Sequence, residues 1–328
     1  MEQDEEDVST LRPSSDPIVA IACSDLHLSH RPPIARSEEK DWYGCMEEAL
    51  GMLDLIAEEN GVPILYAGDI FDHWDQPPEL LSFAIQKLPA GFSIPGQHDL
   101  PNHSYDNIER SAYWTLVEAG VLQDIYAETQ VVHKLPLTNP HVRVFGYPWG
   151  FNIEPCEAPS KSYTNIALCH KYVWWDKSKF KDAPKEDRAD MRADSREGYH
   201  TVVYGDNHKG FLLRFGEEGE PVIFNCGTFM RRKIDEVGYK PQVGLIHKSG
   251  RVTPHYLQYE NEVFLDGDDI EELVEKAFEG AELLEELARL GKFSVDFGEV
   301  LLKVCRKNEV AKKVISVILS ALDGTDTN

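Results

Sequence analysis

Five short blocks, spread from residue 23 to residue 210, constrain this chain more than any other feature. They read CSDLHLSH, AGDIFDH, PGQHD, ALCHKY and YGDNHKG, and each sets Asp, His or a side-chain amide directly after a short apolar run. The runs at 18–23, 62–67, 166–169 and 201–204 read as buried strands. Side chains at the ends of several strands converge in space even when they are far apart in sequence. Carboxylate oxygens, imidazole nitrogens and an amide oxygen together suit two divalent metal ions. One block alone would say little, because DxH or GD is common and GDxxD also caps helices or makes turns. The order and spacing of all five carry the information.

The stretches between the blocks set the fold class. Residues 41–60 show a helical pattern, with Met46, Leu50, Leu53 and Ile56 on one face and Gly61 as the stop. The strand 62–67 delivers Gly68-Asp69, a helix at 79–88 precedes the strand that delivers Gln97-His98, and 107–119 predicts a further helix. This alternation argues for an α/β fold with a layered sheet. From His141 the apolar runs come closer together, at 142–145, 166–169, 201–204, 211–215, 222–225 and 243–247, and predict a second sheet. The polar, charge-mixed stretch 171–198 lies between two blocks and reads as an active-site lid or a disordered loop. Residues 1–16 are acidic and read as a disordered tail. Helical patterns at 268–290 and 310–322, with a short strand between them at 293–304, make 261–328 a small α-rich module after a main domain at 17–260.

Taken in order, the blocks resemble the calcineurin-like metallophosphoesterases, whose pattern is DxH, GDxxD, GNH(D/E), a lone His and GHxH. Here the pattern stands as Asp25-Leu-His27, Gly68-Asp69-Ile-Phe-Asp72, Gly96-Gln97-His98-Asp99, His170 and Gly205-Asp206-Asn207-His208. The resemblance covers roughly residues 17–250 and implies a four-layer α/β/β/α sandwich. It implies that Asp25, His27, Asp69 and His208 hold one metal ion and that Asp69, Gln97, His170 and Asp206 hold a second, with Asp69 bridging. It also implies that His98 serves the scissile phosphate as acid or donor, with Asp99 holding its other nitrogen, and that water activated by the two metals attacks in line.

Two positions depart from that pattern. Gln97 stands where Asn is usual and carries its amide oxygen one methylene further out. Asp206 stands where the first His of GHxH is usual and replaces nitrogen with hard, charged oxygen. Both fall on the second metal, so a weaker second site is expected, with manganese preferred and magnesium next, ahead of zinc or iron. A degenerate, inactive site is the opposing reading.

Two further stretches narrow the substrate. DLPNHSYDNIERSAYWTLVEAGVL after GQHD, and FNCGTFMRRKIDE, are similar to segments of the SbcD-type DNA repair nucleases. That likeness implies a DNA exo- or endonuclease and, by analogy, an ATPase partner of the SbcC type, while the sequence leaves monomer and homodimer both open. The runner-up readings are a phosphodiesterase or phosphatase on a small nucleotide or phosphoprotein, and a non-catalytic subunit. A formal net charge of −24 argues against general nucleic-acid affinity, because phosphate repels such a surface, but leaves room for a local basic patch. Six cysteines without CxxC spacing make neither a disulfide framework nor a zinc knuckle, and no apolar run spans a bilayer, so a reducing cytoplasmic setting without membrane contact is expected.

The remaining candidates have plainer readings. His30, His73 and His103 read as loop residues, and Asp72 as a cap or a partner to a ligand. Trp174 and Trp175 read equally as packed aromatics or as base-stacking groups. Arg231-Arg232-Lys233 reads as a phosphate contact or a solvated basic turn.

Overall fold

The computed structural model describes residues 16–125, 133–134, 142–156, 163–180, 183–191, 196–215, 221–259 and 262–265. Of the acidic tail only Asp16 is described, and the patterns at 268–290, 293–304 and 310–322 lie outside the described residues. Two compact units make up the chain, 1–32 with 39–262 and 33–38 with 263–328. In the second unit, a 3-10 turn at Ile34–Arg36 meets the later segment. There the Leu265 N–H donates to the Ala35 carbonyl at 2.9 Å, and the Arg36 guanidinium lies 5.5 Å from the Phe264 ring centre. The stretch before the first helix is therefore part of this unit and not a plain connection.

The first unit is built on two six-stranded sheets. One contains β1 (Ile18–Cys23), β2 (Ile64–Tyr66), β3 (Gly91–Ser93) and β4 (Leu122–Asp124) in parallel, extended beyond β1 by antiparallel β11 (Gln242–His247) and β12 (Val252–Tyr256). The other has the order β5 (His133–Lys134), β6 (Val142–Tyr147), β7 (Thr164–His170), β8 (Thr201–Gly205), β10 (Val222–Asn225), β9 (Phe211–Leu213), with β6, β7, β8 and β10 parallel. The run at 243–247, expected in the second sheet, belongs to the first, where it pairs with β1.

Period-two alternation explains why these strands read as unbroken apolar runs: both faces are covered. In β1 and β2, Ile21, Cys23, Ile64 and Tyr66 face the helices, whereas Ala20, Ala22 and Leu65 face the other sheet, joined by Val19 at a register shift in β1. Across the gap they meet Val144, Ile166, Leu168, Val203 and Phe224. Each fully buried Val, Leu, Ile or Phe contributes about 1.5–3 kcal/mol. The far face of the second sheet, Ala167, Cys169, Val202 and Tyr204, is covered by Val173, Ala189 and Tyr199. Among the described residues this layer over 171–199 consists of 3-10 turns and irregular backbone.

Among the described residues, three helices cover the first sheet. α1 (Trp42–Asn60) starts where Asp41 accepts the Gly44 N–H at 2.8 Å and stops at Gly61, whose φ of 61° needs no Cβ. α2 (Pro78–Lys87) has proline in its first turn. The single helix expected over 107–119 is broken at Ser111. A 3-10 segment, Tyr105–Arg110, precedes it, and extended Ser111 caps α3 (Ala112–Glu118) by accepting the Trp114 N–H at 3.0 Å. The parallel strands β1, β2 and β3, and β7 with β8, are each followed by or end in one of the five blocks.

Candidate metal centre

The blocks leave their strands on unusual backbone. Asp25 (φ 54°), His27 (47°), Asp69 (53°) and Asp206 (80°) all lie in the left-handed region, which costs a non-glycine residue on the order of 1 kcal/mol or more. Cross-loop hydrogen bonds hold them there. The Asp25 N–H donates to the Gly68 carbonyl at 3.0 Å, His27 N–H to Asp69 at 3.0 Å, and Leu28 N–H to Ile70 at 2.8 Å. Glycine is required where the loops meet the ligands: a Cβ on Gly68 would stand 2.3 Å from His170 Nδ1, and one on Gly96 2.1 Å from Asp69 Oδ1.

Hydrogen bonds on the outside turn the ligand atoms inward. Asp69 Oδ1 accepts the His98 N–H at 3.0 Å, so Oδ2 faces the cluster. His170 Nδ1 lies 2.5 Å from the Ala67 carbonyl, a position that only a donor satisfies. The ring therefore presents Nε2 to the interior. His208 Nδ1 stands 3.1 Å from Glu236 Oε1 and presents its Nε2 in the same way.

The resulting distances suit cations. His27 Nε2 is 3.1 Å from His208 Nε2, 3.7 Å from Asp69 Oδ2 and 3.8 Å from Asp25 Oδ1, and His208 Nε2 is 3.9 Å from Asp25 Oδ1. Bonds of ~2.1 Å to one tetrahedral ion would separate such atoms by roughly 3.4 Å. A second group, Asp25, Asp69 and His170, has its ligand atoms within 4.8 Å of one another, and a third joins His27, Asp69 and His98. Asp69 Oδ2 and His170 Nε2 lie 3.4 Å apart as an ion pair, and Gln97 Oε1 is buried with no hydrogen bond among the described residues. Leaving such an oxygen without a partner is costly, and all three atoms belong to the expected second site.

The charges fit the same reading. Burial, together with the neighbouring Asp69 charge, pushes Asp25 up to about 6 against the pull of His170 and His208. Burial, the Arg232 charge and the other imidazoles hold His27 well below its usual range, as a neutral ring suited to ligation. Burial acts to lower His170, but the carboxylates of Asp69, Asp25 and Asp206 outweigh it and raise the ring to about 10. Carboxylates crowded in this way call for a positive partner.

Gln97 and Asp206 are in contact. The Gln97 amide donates to Asp206 Oδ1 at 2.9 Å, while the Asp206 N–H lies 3.2 Å from both Asp25 oxygens. Because the NH₂ faces Asp206, the amide oxygen faces the cluster. Asp206 itself lies outside the three ligand groups.

Asp99 does not hold His98. It accepts from the backbone N–H groups of Ile70, Phe71 and Gly96 at 3.0–3.2 Å, and so organises the loops. Burial and the Asp69 charge push it up to about 7. The His98 ring is held instead by the Asp72 carbonyl, 2.9 Å from Nδ1. Asp72 also pairs through its carboxylate with Arg232 at 3.6 Å, and Arg232 donates to the His27 carbonyl at 3.0 Å. Arg232 is thus built into the rim, whereas Arg231 bonds the Val237 carbonyl and pairs with Glu262.

Glu236 was not singled out from the sequence, although it lies in the FNCGTFMRRKIDE stretch. Its second oxygen accepts the backbone N–H of Arg232 at 2.6 Å and of Lys233 at 3.0 Å. His30 bonds Tyr43, His73 accepts from Asp75, and His103 bonds the Gln97 carbonyl, as loop residues do.

The calcineurin-like phosphoesterase family matches this sequence over residues 18–210, more than half of the chain, and the chain belongs to that family. Comparison with curated proteins finds no match. Among solved structures it is similar to a metallophosphoesterase from Sphaerobacter thermophilus (16% identity, 74% of this chain and 89% of that one, TM-score 0.32). It is also similar to the calcineurin-like phosphoesterase YfkN from Bacillus subtilis (13%, 74% and 89%, 0.38) and to the phosphopantetheinyl hydrolase PptH from Mycobacterium tuberculosis (13%, 69% and 99%, 0.36). Among the described residues, no helix is long and apolar enough to cross a membrane.

Proposed function

We propose that this member of the calcineurin-like phosphoesterase family hydrolyses phosphodiesters with two divalent metal ions, and that its substrate is DNA. The observation that carries the reading is the inward-facing trio Asp69 Oδ2, His170 Nε2 and Gln97 Oε1, the first two 3.4 Å apart and the third without a hydrogen bond among the described residues, beside the His27–His208 pair. Asp25, His27, Asp69 and His208 would hold one ion. Asp69, His170 and Gln97 would hold the other, with Asp206 steadying Gln97. When bound, such ions neutralise phosphate oxygens and lower the pKa of water.

The chain's own residues do the rest. With Nδ1 donating to the Asp72 carbonyl, His98 points Nε2 into the site. As an imidazolium it gives the Nε2 proton to the leaving oxygen as the phosphorus–oxygen bond breaks and a water oxygen bonds to phosphorus. The water releases its own proton to solvent. Arg232, beside His27 and Asp72, sets a fixed positive charge at the rim, where phosphate enters.

The DNA reading is supported by the likeness of the 99–122 and 224–236 segments to SbcD-type nucleases. A partner ATPase of the SbcC type, self-association and a preference for manganese over zinc complete the proposal. The preference follows from the amide oxygen of Gln97, held by Asp206 where the family pattern has an imidazole nitrogen. The net charge of −24 favours a second reading, a phosphodiesterase or phosphatase acting on a small nucleotide or phosphoprotein. A manganese-titrated assay comparing end-labelled single- and double-stranded DNA with cyclic nucleotides decides between them. Cleavage of DNA alone supports the proposal, and cleavage of cyclic nucleotides alone overturns it.

A further inference from the structure

A groove of two adjoining cavities lies along the segment that follows His170. Its near part, a cavity of about 260 Å³, is lined by Glu236, which bonds His208, and by Lys209 and Lys177. Its far part, about 460 Å³, is lined by Trp174, Trp175, Phe211 and Arg188. The two parts share Lys177, Ser178 and Gly210.

The aromatic end is fixed to the ligand loop. Asn207, between Asp206 and His208, donates its amide to the Val173 carbonyl at 2.7 Å and to the Ser178 carbonyl at 3.1 Å. It thereby grips both ends of the turn that carries the two tryptophans. Within that turn the Trp175 N–H donates to Ser178 Oγ at 2.7 Å. Trp174 is mostly buried, with its indole N–H on the Pro184 carbonyl at 2.7 Å and Lys179 5.0 Å from its ring centre. Trp175 and Phe211 are only half-buried. On a chain of net charge −24, this groove carries Lys177, Lys209 and Arg188 beside Asp176, Asp235 and Glu236, with Lys209 3.8 Å from Asp235 and Arg188 paired with Asp190.

We propose that this groove takes a nucleobase of the substrate strand, stacked on Trp175 and Phe211, while Lys177 attracts the phosphate that joins it to the scissile position. The inference rests on the phosphodiesterase reading above and adds to it the recognition of a base next to the cleaved bond. Stacking on an aromatic side chain is tolerant of base identity, so the groove favours a nucleotide strand without selecting a sequence. Cations beside aromatic faces suit the adjoining phosphate.

The test reads binding without turnover. Intrinsic tryptophan fluorescence of the full chain in EDTA is titrated with oligo(dT) and with an abasic oligonucleotide of the same length and charge. The expected result is quenching by oligo(dT), with affinity for the abasic strand lower by roughly fivefold or more. Trp175→Leu should remove that difference and Trp175→Phe should retain most of it. Equal affinity for the two strands in the wild type overturns the inference, and so does a folded Trp175→Leu protein that still prefers the strand with bases. Manganese-dependent hydrolysis of bis-p-nitrophenyl phosphate by the wild type is measured in parallel. If that ester is cleaved while bases make no difference to binding, the groove assignment fails and the reaction stands. If it is not cleaved, the reaction itself fails.

Discussion

Replacing Glu236 with Gln should weaken one metal site selectively. The Glu236 side chain is 4% exposed, so little solvent screens its charge from the His208 ring 3.1 Å away. Its two oxygens serve three hydrogens: the His208 ring N–H and the backbone N–H groups of Arg232 and Lys233. Gln has one oxygen for the same three. If that oxygen stays on the backbone, the amide NH₂ faces His208 and drives the ring's proton to Nε2, the nitrogen needed for the ion. If the oxygen turns to His208, two backbone donors face an NH₂ group. Either way, loss of such an outer partner lowers metal affinity about 10–100-fold, or about 1.4–2.8 kcal/mol. A buried donor left unpaired costs a further ~1–3 kcal/mol of stability. Calorimetric titration of the metal-free protein with manganese, beside a thermal melt, measures both. One affinity should fall while the other holds. Unchanged affinity for both ions in a folded Glu236→Gln protein would refute the argument that this carboxylate sets the His208 tautomer.

Three other outcomes follow from the same geometry. His98→Ala should abolish turnover and keep both manganese equivalents by calorimetry, since His98 is assigned to the leaving oxygen; loss of a whole equivalent would make it a ligand. Gly96→Ala should cost about 1–3 kcal/mol and reduce binding of both ions, because the new Cβ would overlap the Asp69 carboxylate proposed to serve both; a melt and a metal titration matching wild type would contradict this. Wild type should bind its two manganese ions with unequal affinities. Gln97→Asn with Asp206→His should tighten the weaker site and shift preference toward zinc. Because the two side chains are hydrogen-bonded, the double variant should deviate from the sum of the two single substitutions by ~0.5–3 kcal/mol; equal wild-type affinities, or an unchanged double variant, would show that these positions do not govern the second site.

The parts of this molecule that were legible in the sequence share a property: each is local. β1, α1 with its Gly61 stop, and the strand-end placement of Asp25, Asp69 and His170 follow from short runs and their punctuation. What escaped depends on pairing across the chain. β11 carries the same apolar pattern as its neighbours in sequence, and only its partner β1 assigns it to the first sheet. Ser111 divides a helical pattern because its hydroxyl competes for the Trp114 N–H. Adjacency in sequence suggests Asp99 as the partner of His98. However, the turn that brings His98 to Asp69 aims Asp99 back at the backbone of residues 70 and 71, and the carbonyl of Asp72 takes its place. Glu236 lies 28 residues from His208, with no spacing rule to connect them. The contact between Gln97 and Asp206 joins two residues 109 apart, and it turns two separate departures from the family pattern into one paired change.

The central claim is that these side chains hold two ions, and anomalous diffraction at the manganese edge, from crystals soaked in millimolar manganese, tests it most directly. Two peaks are predicted, one among Asp25, His27, Asp69 and His208, and a second, of lower occupancy at limiting metal, beside Asp69, Gln97 and His170. A single peak, or none at those side chains, would contradict the account.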